Sequence, residues 1–299
     1  MSRFIRIGFA GIGRMGAPMC ANLVRAGYPV STTDIRQEAS VRGAHRLPDM
    51  AALAVRSDVL ITMLPGPGEV ADAMTGTGAV DALPPGAVWI DMTSNTPDAA
   101  EPVRSRALAR GVDVLEAPVG GGVEAARAGT LTVFAGGPEE VFLRCRPILE
   151  VLADPAHVVR VGGHGAGYTA KLLVNLLWFG QAVATAEALL LGKRVGIDLE
   201  TLRRVLAGSA AGTEFIRHEL PALFAGDYLE TFGLDRCWEE LAGITALARR
   251  HKVPFELSGL VEETYRRALD RFGPVDGELM AVALLEEEAG VRLRTAHEG

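Results

Sequence analysis

The sequence predicts an α/β domain with a doubly wound, mostly parallel sheet, followed by an all-helical domain entered through one long helix. Three observations carry this. Apolar runs of strand length alternate with helical stretches and glycine or proline turns as far as about Gly163. Beyond Gly167 the alternation stops, and Tyr168 to Val195 runs without proline and with only two glycines, Gly180 and Gly192. The remainder reads as helices parted by breakers at Gly208, Gly212, Pro221, Gly226, Pro254 and Gly273. The expected domains are residues 1–163 and 164–299.

The first element is an apolar strand, Phe4 to Ala10, followed by Gly11-Ile12-Gly13-Arg14-Met15-Gly16. Met15, Met19, Leu23 and Val24 then recur at helical spacing up to Gly27, and a second strand, Pro29 to Thr33, ends at Asp34. Strand, glycine turn, helix, strand and acid is the order of a Rossmann dinucleotide site. Gly11 permits the tight turn, Gly13 lets backbone approach a pyrophosphate, and Gly16 lets helix and strand pack closely. The helix N-terminus offers N–H groups and a positive dipole end to the phosphates. Asp34 is placed to accept the ribose hydroxyls and to repel a 2′-phosphate, so NAD is favoured over NADP. Arg36 could receive that phosphate, which keeps NADP possible, but it reads more simply as a solvated loop charge.

The alternation continues. Val59 to Leu64 is a strand ended by Pro65-Gly66-Pro67-Gly68, and Val88 to Met92 another. Pro97 to Arg110 is a helix stopped by Gly111; Val112 to Leu115, Leu131 to Ala135 and Val158 to Val161 complete the strands. The long segment after Gly167 carries Leu172, Leu173, Leu176, Leu177, Trp178 and Leu189, so it is expected to be buried on most sides. At ~1.5 Å per residue it would be about 40 Å long.

Composition bounds the function. The 299 residues carry a net charge of -7, with 48% hydrophobic and 22% charged residues, which suits a globular chain and argues against nucleic acid as a partner. No apolar run reads as a confident membrane span, and strand-like sequence begins at once where a signal peptide would lie. Cys20, Cys145 and Cys237 lack metal-ligand spacing and suit a reducing cytoplasm. Basic charge is nearly all arginine; the lysines are Lys171, Lys193 and Lys252, so each retained lysine raises the question of its use.

Three further stretches carry chemistry. Asp91-Met92-Thr93-Ser94-Asn95-Thr96-Pro97 follows a strand, where open α/β sheets bind ligands, yet its hydroxyls can equally cap the helix at Pro97. Ala117-Pro118-Val119-Gly120-Gly121-Gly122 can form a nest of N–H groups for an anion, or a plain flexible connection. In Gly163-His164-Gly165-Ala166-Gly167-Tyr168-Thr169-Ala170-Lys171-Leu172-Leu173-Val174-Asn175, Lys171 and Asn175 stand four apart on one helix face among apolar neighbours. A lysine so placed can exchange a proton with a substrate, with the asparagine orienting it; a snorkelling lysine is the plainer alternative.

Together these stretches resemble the β-hydroxyacid dehydrogenase family, which includes 3-hydroxyisobutyrate dehydrogenase and tartronate semialdehyde reductase, over nearly the whole chain. GFAGIGRMGAPMCANLVRAGYPV is similar to its N-terminal signature, DMTSNTP to its D-x-S-[ST]-x-x-P loop, APVGGGVEAARAGTLTVFAGG to its APVSGG…GTLT…GG segment, and GAGYTAKLLVN to its glycine and K-x-x-x-N motif. The resemblance implies reversible NAD(P)-dependent oxidation of a β-hydroxy group on a small molecule. Gly11, Ile12, Gly13, Met15, Gly16 and Asp34 would hold the dinucleotide, and Leu64, Pro65 and Ser94 its nicotinamide half. Lys171 would be the general acid/base, and Asn175, Thr93, Gly120, Gly121 and Gly122 would meet the substrate. Helical domains of the family pair between subunits, so a homodimer or homotetramer is expected.

Two departures stand out. The serine of APVSGG is Gly120, and Glu239, in Phe232-Gly233-Leu234-Asp235-Arg236-Cys237-Trp238-Glu239-Glu240, stands where the family carries the lysine of a Lys-Asp pair on the substrate side. At ~6 Å and an effective dielectric near 20, each unit charge is worth about 3 kcal/mol, so the exchange weighs against a bound anion. Either Arg236 supplies the missing cation, or the substrate lacks the usual small carboxylate; loss of the serine as well favours the second. An imine reductase-like enzyme and a catalytically degenerate dinucleotide-binding protein are the alternatives, and retention of Lys171 counts against both. A decarboxylating enzyme of the 6-phosphogluconate dehydrogenase type fits less well, given the shorter helical region.

Overall fold

The computed structural model describes residues 5–295, so Phe4, the expected start of the first strand, lies outside the described residues. The chain divides into two compact units between Leu172 and Leu173.

In the first unit nine strands form one sheet: β1 Ile7–Ala10, β2 Val30–Thr33, β3 His45–Arg46, β4 Val59–Thr62, β5 Val88–Asp91, β6 Asp113–Glu116, β7 Val119–Gly120, β8 Leu131–Gly136 and β9 Ala153–Gly162. The order is β3-β2-β1-β4-β5-β6-β8-β7, with β9 also on β8. From β3 to β6 all neighbours are parallel; β8 runs antiparallel to β6 and β7 and parallel to β9. The helices are α1 Gly16–Arg25, α2 Met50–Val55, α3 Pro67–Ala71, α4 Ala79–Ala82, α5 Pro97–Ala109, α6 Gly122–Ala128 and α7 Glu139–Leu152; the long α8 Ala166–Arg194 starts in this unit and continues into the second.

Side chains alternate across a strand, so a sheet buried on both faces needs apolar residues at every position. Ile7, Phe9, Val59, Ile61, Val88, Ile90 and Leu115 pack on one face with Met19, Cys20 and Leu23 of α1 and with Val141, Cys145, Ile148 and Leu149 of α7. Leu60, Trp89 and Val114 pack on the other with Leu53 of α2, Val70 of α3, Val80 of α4 and Val103 of α5. That double cover is why β1, β4 and β5 read as continuous apolar runs. The strands β3 and β7, two residues each, are too short to show a period. The last strand begins five residues earlier than expected, because Asp154-Pro155-Ala156-His157, exposed or half-exposed along its length, shows no apolar strand pattern.

The second unit contains α9 Leu199–Ala207, α10 Leu220–Ala225, α11 Leu234–Arg250, α12 Glu256–Phe272 and α13 Met280–Ala289. Its core joins Ala182, Ala186 and Leu189 of α8 to Phe215, Leu220, Leu223, Leu279 and Val282. Apart from an isolated bridge between Gly233 and Asp276, no β pairing occurs there among the described residues. The expectation that α8 is buried on most sides is corrected: Leu173, Val174, Leu177 and Leu191 are exposed. By length and composition alone α8 could cross a membrane, a test that the core helix of a soluble protein also passes; the sequence reading expected no confident span.

Candidate functional site

The glycine turn between β1 and α1 answers three different steric demands. Gly11 has φ +86°, a left-handed conformation open to glycine, and a Cβ there would overlap the Met63 carbonyl oxygen. A Cβ on Gly16 would overlap the Gly11 carbonyl oxygen and stand 3.1 Å from Phe9 Cε1. At Gly13 the nearest atom to such a Cβ is Arg36 Nη2 at 4.0 Å, so this flank of the turn is open. No side chain caps α1 and no acid lies in its first turn, with Met15 at the N-cap position. An uncapped helix start beside an open glycine fits a dinucleotide pyrophosphate.

Asp34 closes the turn. Its Oδ2 accepts from Ile12 N at 2.9 Å, and its Oδ1 accepts from Arg36 N at 2.9 Å and Arg36 Nε at 3.0 Å. Burial works to raise its pKa, but the Arg36 guanidinium and the two backbone N–H groups outweigh it and hold the carboxyl below the usual carboxylate range. Arg36, read from sequence as a solvated loop charge, is exposed but lies against this acid and also donates to Ile12 O at 3.1 Å. A residue pair two apart at a strand end carries no periodic signal, so the contact was not foreseeable.

After β4 and β5 the loops are tied together. Thr93 Oγ1 accepts from Leu64 N at 3.1 Å, and Thr93 N donates to Asp91 Oδ1 at 3.1 Å. Thr93, expected at the substrate, is wholly buried and holds Leu64. Ser94 is half-buried and Pro65 exposed, while Thr96 is the helix cap, accepting from Ala99 N at 3.2 Å. Gly120 ends β7 opposite Thr132, and Gly121, with φ +111°, precedes α6, which Gly122 opens. A side chain at Gly120 would find ordinary contacts, 3.6 Å to Phe134 and 3.9 Å to Thr132.

On α8, Lys171 and Asn175 are both half-buried, one helical turn apart. Asn175 Nδ2 donates to Glu240 Oε2 at 2.5 Å, and the other Glu240 oxygen is buried without a hydrogen-bond partner. Glu239, expected on the substrate side, is exposed and paired with Arg236 at 3.0 Å. Between the neighbouring acids of α11, Glu240 is thus the one that meets Asn175. Reading the pair by its position in the family motif could have found Glu240, since it stands at the aspartate of the Lys-Asp pair.

Residues 6–163 match the family described as the NAD binding domain of 6-phosphogluconate dehydrogenase, and residues 165–285 that described as the NAD-binding region of NADP-dependent 3-hydroxyisobutyrate dehydrogenase. The chain is 32% identical to 2-(hydroxymethyl)glutarate dehydrogenase of Eubacterium barkeri over 272 residues, 89% of each chain. The chain belongs to the β-hydroxyacid dehydrogenase family. A 3-hydroxyisobutyrate dehydrogenase of Pseudomonas aeruginosa is 38% identical over 211 residues, covering 69% of this chain and 70% of that one. The solved structure of Mycobacterium tuberculosis 3-hydroxyisobutyrate dehydrogenase with L-serine is similar at a TM-score of 0.83 and 28% identity, covering 94% of this dehydrogenase and 99% of that chain. An imine reductase from Myxococcus stipitatus shares the fold at 18% identity and a TM-score of 0.64. The chain is thus an NAD(P)-dependent oxidoreductase acting on CH–OH groups.

Proposed function

We propose that this dehydrogenase oxidises a β-hydroxy compound other than a simple small carboxylate, with Lys171 as general acid/base and Asn175 positioning the substrate. The observation that carries the catalytic part is the retention of Lys171, one of three lysines in an arginine-rich chain, on one helix face with Asn175. When bound, NAD(P) supplies the hydride acceptor. As hydride leaves the carbinol carbon, the Lys171 amine takes the hydroxyl proton and the carbon–oxygen bond becomes a carbonyl; in reduction the same amine returns the proton. The backbone at Gly121 and Gly122 offers N–H groups to a substrate oxygen.

The substrate preference rests on charge and space. Gly120 brings no hydroxyl, and Arg236 is engaged by Glu239 at 3.0 Å and approaches Asp235 at 3.8 Å. Glu240, buried and accepting from Asn175 Nδ2, puts a carboxylate beside the asparagine, a poor setting for an anion. The test is an NAD- and NADP-reduction screen of 3-hydroxyisobutyrate, L-serine, and uncharged, cationic and aromatic β-hydroxy analogues. Small acids turned over best by a wide margin would overturn the preference. Lys171→Ala should lower kcat by about 10²-fold or more while leaving cofactor affinity unchanged; unimpaired turnover would overturn the mechanism.

A homo-oligomer formed through the helical region also belongs to this reading. It is supported by exposed Leu173, Val174 and Leu177 on α8 and Leu257 and Leu260 on α12. Sedimentation that returns only a monomer would overturn it.

A further inference from the structure

The first turn of α8 is held by two buried carboxylates that lie side by side at the ends of adjacent strands. Asp91 on β5 and Glu116 on β6 are register partners, and each is 0% exposed. Asp91 Oδ2 accepts from Tyr168 Oη at 2.8 Å and Asn95 Nδ2 at 3.2 Å, while Oδ1 accepts from Thr62 Oγ1 at 2.8 Å and Thr93 N at 3.1 Å. Glu116 Oε1 accepts from Gly165 N at 2.6 Å and Arg104 Nη1 at 3.3 Å, and Oε2 from Gly167 N at 3.2 Å.

A helix ordinarily satisfies its first N–H groups with a Ser, Thr, Asp or Asn just before it. Before α8 stand Gly163, His164 and Gly165, which offer no such oxygen, and the acceptor comes from 49 residues away. The approach is also close. A Cβ on Gly136 would lie 2.5 Å from both Glu116 Oε2 and Gly167 N, and one on Gly167 would lie 2.7 Å from Phe134 O. Burying two carboxylates costs several kcal/mol each before their hydrogen bonds are counted, so stability alone is a weak reason to keep them. The bonds the two carboxylates accept from Gly165, Gly167 and Tyr168 fall three to six residues before Lys171.

We propose that Asp91 and Glu116 are positioning residues, which seat the first turn of α8 on the carboxyl edge of the sheet and so set the placement of Lys171. Through Thr93, Asp91 also fixes Leu64, so one carboxylate ties a loop on the cofactor side to the helix that carries the proton-transfer amine. The inference rests on the reading of Lys171 given above. A displacement of about 1 Å at a reacting group can cost on the order of 10²-fold in rate, so a loosened seat is read in kcat rather than in cofactor binding.

The test uses Glu116→Gln, which keeps shape and removes charge, and Tyr168→Phe, which removes only the bond to Asp91. Each is made alone and with Lys171→Ala, and assayed with the panel compound turned over fastest. Each single variant should lose about tenfold or more in kcat with cofactor Kd unchanged, and neither should lower the residual rate of Lys171→Ala further. In the unliganded protein, amide exchange at Gly165 and Gly167 should accelerate in Glu116→Gln while β1 and β4 stay protected. Full kcat in the folded single variants, or an undiminished loss on top of Lys171→Ala, would overturn the inference. Wild-type turnover by Lys171→Ala would overturn the role of Lys171 and this inference with it; an inactive Lys171→Ala beside fully active Glu116→Gln would remove the inference alone. Should Glu116→Gln fail to fold, Tyr168→Phe carries the same cycle.

Discussion

Gly13 and Gly16 belong to one motif, yet alanine at each should fail in a different way. At Gly16 the new Cβ would come inside the 3.0 Å that real Cβ atoms essentially never cross, against the carbonyl oxygen of Gly11, with Phe9 Cε1 at 3.1 Å behind it. The obstacle is backbone at the end of β1, so α1 must move. Overpacking of this kind costs about 1–3 kcal/mol, and a rigid obstacle belongs at the upper end. Alanine returns up to about 1 kcal/mol in helix propensity. The net loss of about 2 kcal/mol corresponds to a melting temperature lower by about 4–8 °C for a domain of this size. At Gly13 the Cβ meets nothing nearer than Arg36 Nη2 at 4.0 Å, so stability should hold within about 0.5 kcal/mol. A methyl on that open flank would instead disturb charge-assisted hydrogen bonds to a pyrophosphate, worth about 1.5–3 kcal/mol, and weaken NAD by about tenfold to a hundredfold. Thermal melts and calorimetric titration with NAD separate the two. If Gly13→Ala melts as low as Gly16→Ala, or binds NAD like the wild type, the assignment of this turn to the pyrophosphate is wrong.

Cofactor choice should be movable at Asp34: Asp34→Ser frees the Arg36 guanidinium and should raise the NADP-to-NAD ratio of kcat/KM by about tenfold or more, whereas Arg36→Ala should lower it. Equal ratios in all three proteins would remove the Asp34–Arg36 pair from selectivity. Gly120→Ser meets only ordinary contacts, so it should fold normally and raise turnover of 3-hydroxyisobutyrate relative to uncharged analogues; a fall in that ratio would contradict the substrate reading. Burial and the Arg104 guanidinium hold the His164 imidazole below its ordinary 6.5, with Glu116 Oε1 3.9 Å from its Nδ1. The unfolded chain therefore binds that proton more readily, and stability should be lost as pH falls below about 6.5. The melting difference between pH 7.5 and pH 5.5 should be smaller in His164→Gln than in the wild type, and an equal difference would refute the assignment.

Much of the nucleotide unit was legible because its determinants are local. A strand, a glycine turn and a helix each announce themselves within ten residues, and Asp34 follows at the spacing such a unit imposes. The helical character of the second unit was equally visible in breaker spacing. Which side of α8 stays uncovered was not, because leucine is as common on an association surface as in a core, and periodicity records apolar faces without saying what covers them.

The contact between Glu240 and Asn175 was hidden for a different reason. The family motif marks a stretch of α11, but successive helix residues differ by about 100° in direction, so neighbouring acids meet different surroundings. Glu240 falls on the buried side with Leu241 and Cys237, and Glu239 on the solvent side, where Arg236 meets it. Asp91 and Glu116 escaped for a third reason. Each is the last residue of its strand, β5 or β6, where a charged residue ordinarily signals only that the strand is ending. Their partners lie 77 and 49 residues further on, Tyr168 in the first turn of α8 and Gly165 in the loop before it, whose glycines hide the absence of a local cap. A helix start that lacks its own capping oxygen, in a sequence that keeps acids at the ends of adjacent strands, is the pattern that would have exposed them. The same pattern explains why the glycines before Lys171 are needed: only a backbone without side chains at Gly136 and Gly167 comes close enough for a strand-borne carboxylate to do the capping.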